Sequence, residues 1–92
     1  MDLQELRSRI DEIDDELVRL FARRMEVSAE IARYKQRNGI AIFDPERETQ
    51  KLRALSRKVK KGHEAHISAL FSLLFEISRA EQASVIGSEE AP

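Results

Sequence analysis

Arg24 occupies a position where the surrounding pattern calls for an apolar side chain. Leu3, Leu6, Ile10, Ile13, Leu17, Leu20, Arg24, Val27, Ile31 and Tyr34 follow one another in alternating steps of three and four, the seam of a long amphipathic helix. A guanidinium in such a seam would be buried, and a buried cation is costly unless an anion pairs with it. Lys35 lies eleven positions after Arg24, so Arg24, Ser28, Ile31 and Lys35 share one helical face. The same irregularity recurs downstream. The stripe Val59, Leu55, Leu52 runs back to Glu48, beside Arg47, and the stripe Ile67, Phe71, Leu74 runs on to Ser78 and Gln82.

These residue types narrow the chemistry. Arg24, Lys35 and Arg47 favour a small anion, and arginine binds carboxylates through two parallel hydrogen bonds. Glu48 can accept from a ligand hydroxyl, while Ser78 and Gln82 add neutral donors. No nucleophile stands beside a base. The chain has no cysteine, and its two histidines, His63 and His66, fall outside the set and read as surface residues. Metal-ligand spacing is absent, so neither a metal nor a cofactor is expected. Cations and donors without a nucleophile suit electrostatic stabilisation of a rearranging substrate.

Three helices account for the elements that must position these groups. The first is predicted from Leu3 to Arg37, stopping at Asn38-Gly39. The apolar linker Ile40-Ala41-Ile42-Phe43 follows. Asp44 then caps a second helix with Pro45 at its first position, and that helix is expected to run through Lys58, Lys60 and Lys61 to Gly62. A third helix starts near His63 or Glu64 and fades by Ile86. Residues 1–86 are taken as the domain, and Gly87 to Pro92 as a disordered polar tail. No strand pattern and no repeat interrupts this all-α reading.

A first helix of that length does not fit a lone domain. Its residues span ~52 Å, whereas a compact chain of this size has a radius of gyration near ~12 Å. The seam therefore calls for a second copy, and an intertwined antiparallel homodimer is expected. Charged residues make up 36% of the 92 and nearly cancel, for a net charge of −1. That balance argues against a nucleic-acid or membrane partner. The start Met1-Asp2-Leu3-Gln4-Glu5 lacks the basic and apolar regions of a signal peptide, and no apolar run reaches membrane-spanning length. A cytoplasmic location is expected.

In order and spacing, the chain resembles the all-helical, type II chorismate mutases of the shikimate pathway. The stretches that carry the resemblance are Leu6-Arg7-Ser8-Arg9-Ile10-Asp11-Glu12-Ile13-Asp14, Ala22-Arg23-Arg24, Tyr34-Lys35, Asp44-Pro45-Glu46-Arg47-Glu48, and Ser78 with Gln82. They extend from about Leu3 to Ala83. The connection around Lys60 to His63 is shorter than in that family. The resemblance implies an intertwined dimer of three-helix chains that turns chorismate into prephenate by a Claisen rearrangement, with no cofactor and no covalent intermediate.

The roles it implies are specific. Arg7, Arg24 and Arg47 would bind the two substrate carboxylates, with Ser78 touching one of them. Lys35 and Gln82 would donate to the ether oxygen, and Glu48 with the backbone near Asp44 would hold the ring hydroxyl. Arg7 lies ~25 Å along the helix from Arg24 and cannot reach the same small ligand within one chain. An antiparallel pair centred near Val18 would set the partner's Arg7 beside Ala29, between Arg24 and Lys35, which permits the arginine supplied across the interface that the family uses.

Two other functions share parts of this pattern. An isochorismate–pyruvate lyase has the same fold and most of the cations, but lacks acids corresponding to Asp44 and Glu48, both present here. A non-enzymatic dimerisation module would use Arg24 only to fix register, paired with Glu48.

Overall fold

The computed structural model describes residues 1–90 as three helices with no strand among them. Helix α1 (Leu3–Arg37) starts at Asp2, whose carboxylate accepts the Glu5 backbone N–H at 2.8 Å and so satisfies one of the free donors of the first turn. At its far end Asn38 Nδ2 donates to the Tyr34 carbonyl at 2.8 Å. Gly39 then takes φ 65°, the left-handed turn that ends the helix and that a Cβ would oppose. Helix α2 (Pro45–Ser56) is capped by Asp44, which accepts the Arg47 N–H at 3.0 Å. Helix α3 (Glu64–Glu90) follows a turn in which Gly62 takes φ 100° and donates its N–H to Glu64 Oε2 at 2.8 Å.

Two boundaries differ from the sequence reading. Helix α2 stops at Ser56, before the lysines expected to close it. The backbone turns at the exit: the N–H groups of Arg57 and Lys58 both point to the Leu55 carbonyl, Lys58 at 3.0 Å. That carbonyl is the one the Val59 N–H would take if the helix went on. Helix α3 continues past Ile86 to Glu90. Gly87 does not take the positive φ of a helix stop, so the tail expected from Gly87 is helical over its first four residues. The remainder of that expectation, residues 91–92, lies outside the described residues.

Helix α3 packs against both α1 and α2, while α1 and α2 do not pack on each other. The result is an extended body of 56 × 29 × 14 Å with a radius of gyration of 16.7 Å, against ~12 Å for a compact chain of this length. Ala32 and Phe75 are the only buried apolar side chains among the described residues, and no large side chain is fully buried. The α1 seam is open to solvent from Leu3 to Leu20, with Ile10, Ile13 and Leu17 each more than half exposed. The chain exposes 7339 Å², about 1,900 Å² more than the ~5,500 Å² of a typical monomer of its mass.

Candidate functional site

The gap between α1 and α2, floored by α3, is a cleft of ≈ 420 Å³, within the ordinary range for small-ligand sites. Seven of the eight residues singled out from the sequence line it: Arg24, Lys35, Asp44, Arg47, Glu48, Ser78 and Gln82. Arg7 does not. It is exposed on the first turns of α1, outside this cleft, as its distance along the helix requires.

The wall from α1 is built on small side chains. Ser28 and Ala32 are the buried residues of that helix, where α3 comes against it. Arg24, one turn before Ser28, is half-buried in the single chain. It donates to Ser78 Oγ and lies with its guanidinium carbon 5.9 Å from the Phe75 ring centroid, a cation–π separation. Glu48 is not its partner; that carboxylate accepts from Arg79 instead. Lys35, three turns on, donates to the Ile42 carbonyl at 2.8 Å. That bond folds the α1–α2 linker over the cleft and leaves the ammonium two further donors.

The floor is polar and buried. Ser78 and Gln82 are buried, at 8% and 7% exposure, although they sit toward the end of a polar-tailed helix. Gln82 Nε2 donates to Ser28 Oγ at 3.1 Å, and Gln82 Oε1 has no hydrogen-bond partner among the described residues. The Nε2 group keeps a second N–H beyond the one given to Ser28, a donor that the carboxamide can offer to a ligand.

The α2 wall brings Arg47 and Glu48 from the first helical turn, directly after the Asp44 cap. Sequence reasoning missed two cations here, Lys51 and Arg79. Arg79 Nη1 donates to both Glu48 oxygens, at 2.6 and 2.5 Å, and its guanidinium carbon lies 4.8 Å from the Phe43 ring centroid. A signal for it existed. Phe75, Ser78, Arg79 and Gln82 fall at i, i+3, i+4 and i+7, a complete helical face. Altogether five cations and two carboxylates line the cleft, an electropositive surface with no paired nucleophile and base.

His63 and His66 stand elsewhere, exposed, with ring centroids 6.0 Å apart beside a small depression. The described residues contain no cluster of metal-ligating side chains.

Comparison with known proteins gives the same direction. The sequence model of the chorismate mutase type II family matches residues 6–83. A protein named chorismate mutase from Methanocaldococcus jannaschii is 35% identical over 83 residues, covering 87% of this chain and 83% of its own. The T-protein of Haemophilus influenzae is 41% identical over 60 residues, and that of Enterobacter agglomerans 43% over 51. These matches cover 65% and 55% of this chain but only 16% and 14% of the T-proteins, so the chain corresponds to a small part of their length. No solved structure matches with comparable significance.

Proposed function

The chain belongs to the type II chorismate mutase family, and from that premise we propose that its cleft converts chorismate to prephenate by a Claisen rearrangement. The observation that carries the reading is the convergence of five cations and the buried Gln82 carboxamide on one ≈ 420 Å³ cleft. Such a lining fits a small dianion that reacts within itself.

Arg24 and Arg47 clamp the substrate carboxylates, with Ser78 beside Arg24. Fixing both ends folds the substrate so that the reacting carbons meet, and holding a reactive conformer can supply up to ~7–11 kcal/mol of the barrier reduction. As the ether C–O bond breaks, negative charge gathers on its oxygen. Lys35 and Gln82 donate there, and one such preorganised donor contributes ~3–4 kcal/mol. Their orientation is set in advance by the Ile42 carbonyl and the Ser28 hydroxyl, so little reorganisation is needed during reaction. Glu48 accepts from the ring hydroxyl, using lone pairs left by Arg79.

The catalytic unit is an intertwined homodimer, proposed from the exposed seam and the surplus surface of the single chain. The partner's Arg7 completes the carboxylate clamp. Residues 1–86 form the mutase domain, working in the cytoplasm; no described helix is long and apolar enough to cross a membrane.

The test is an assay of chorismate loss and prephenate formation with the purified chain. Lys35→Ala should lower kcat by about 10²–10³-fold. Full activity without Lys35 would remove the mechanism. Pyruvate released from isochorismate, with no prephenate formed from chorismate, would assign the lyase reaction instead.

A further inference from the structure

We propose that Arg79 is a positioning residue of the cleft, which aims Glu48 and cancels its charge so that the site can use an acid and still admit a dianion. The proposal rests on the mutase reading and adds to it a requirement the other cations do not share.

Glu48 presents a difficulty for such a site. An acceptor is needed for the ligand hydroxyl, yet a free carboxylate in the same small cleft repels both ligand carboxylates. The two oxygens of Glu48 meet a single nitrogen of Arg79, at 2.6 and 2.5 Å. The pair is sheltered, with side-chain exposures of 24% for Glu48 and 34% for Arg79, so its attraction is screened less than at an open surface. One nitrogen serving both oxygens leaves each oxygen able to accept again. The acid is thereby neutralised without losing its function.

The same side chain also sets where Glu48 stands. Helix α2 has no packing of its own against α1. Arg79 reaches from α3 to the first turn of α2 through Glu48, and covers Phe43, the residue before the Asp44 cap. One guanidinium therefore ties the linker and the start of α2 to the cleft floor.

Kinetics of four proteins test the assignment: the parent, Arg79→Ala, Glu48→Gln, and the double variant Arg79→Ala/Glu48→Gln. In Arg79→Ala, KM for chorismate should rise on the order of 10- to 100-fold with kcat changed far less, because repulsion acts on entry of the dianion. The rise should grow as salt is lowered. In the double variant nothing remains to be neutralised, so KM should return to the value of Glu48→Gln alone. Arg79→Lys should recover part of the loss through its charge but not the two-oxygen grip. Circular dichroism of each protein reports folding separately. An unchanged KM in Arg79→Ala would overturn the proposal, as would a double variant no better than Arg79→Ala, which would make the residue a mere tie between helices. A parent that forms no prephenate would instead remove the mutase reading, and this assignment with it; an active parent confines any failure to Arg79.

Discussion

Replacing Ile13 with glutamate should separate the chain into inactive single copies. In the isolated chain Ile13 is 54% exposed, so a polar side chain there would cost that chain little. In a dimer sealed along the α1 seam the same change is severe. Full burial of an isoleucine is favourable by ~1.5–3 kcal/mol, so its exposed half contributes about 1 kcal/mol per copy. A carboxylate placed without a partner in the interface adds several kcal/mol more. Two-fold symmetry counts both terms twice, which brings the loss to at least ~5 kcal/mol, more than three decades in dissociation constant. The surplus surface, about 1,900 Å² per chain, sets the scale of the interface, because two copies burying it fall in the range of obligate dimers. Sedimentation equilibrium at micromolar concentration, with circular dichroism and the prephenate assay, should show Ile13→Glu as a poorly helical, inactive chain. Ile13→Leu keeps volume and should change neither mass nor activity. A glutamate variant with the parent's mass, helicity and activity would refute the reasoning, and so would a parent that sediments as one chain.

Three more outcomes follow. Arg7→Ala and Arg24→Ala, each nearly inactive alone, should regain activity when unfolded and refolded together, since random pairing leaves about a quarter of all sites with both arginines; no recovery would place Arg7 outside the site. Gln82→Glu should make kcat/KM fall as pH rises, because a glutamate donates only when protonated whereas the carboxamide does not titrate; the parent should vary little from about pH 6 to 8, and matching profiles would exclude Gln82 as the ether-oxygen donor. The Glu64 carboxyl is held below its ordinary 4.5 by backbone N–H groups, first its own and then that of Gly62. Its folded-state value is the lower one, so its contribution to stability is present above 4.5 and is lost as pH falls through that depressed value; the melting-temperature gap between the parent and Glu64→Gln should close in that acid window.

Periodicity made α1 legible almost to the residue, because apolar or aromatic residues at nine of ten successive stripe positions leave few alternatives. Asp44-Pro45 marked the start of α2 for an equally local reason, a cap followed by a residue with no N–H to satisfy. The ends of α2 and α3 were less legible. Lysines before a glycine look like a helix terminus, but the backbone turns earlier, with the Arg57 and Lys58 N–H groups on the Leu55 carbonyl, a choice invisible in composition. Ser78 and Gln82 could be singled out because they extend an apolar stripe. Arg79 could not be separated as easily, since an arginine on a helix is usually solvated, and its meaning depends on Glu48 thirty-one residues away.

The lack of direct packing between α1 and α2 has a thermodynamic consequence. Most small folds place apolar side chains between such elements, whereas this one leaves a charged gap that a ligand can fill. Ligand binding then supplies the missing layer of the bundle, and saturation should raise the melting temperature with the logarithm of ligand concentration. Thermal denaturation alone would rank candidate ligands, including those that bind and never react.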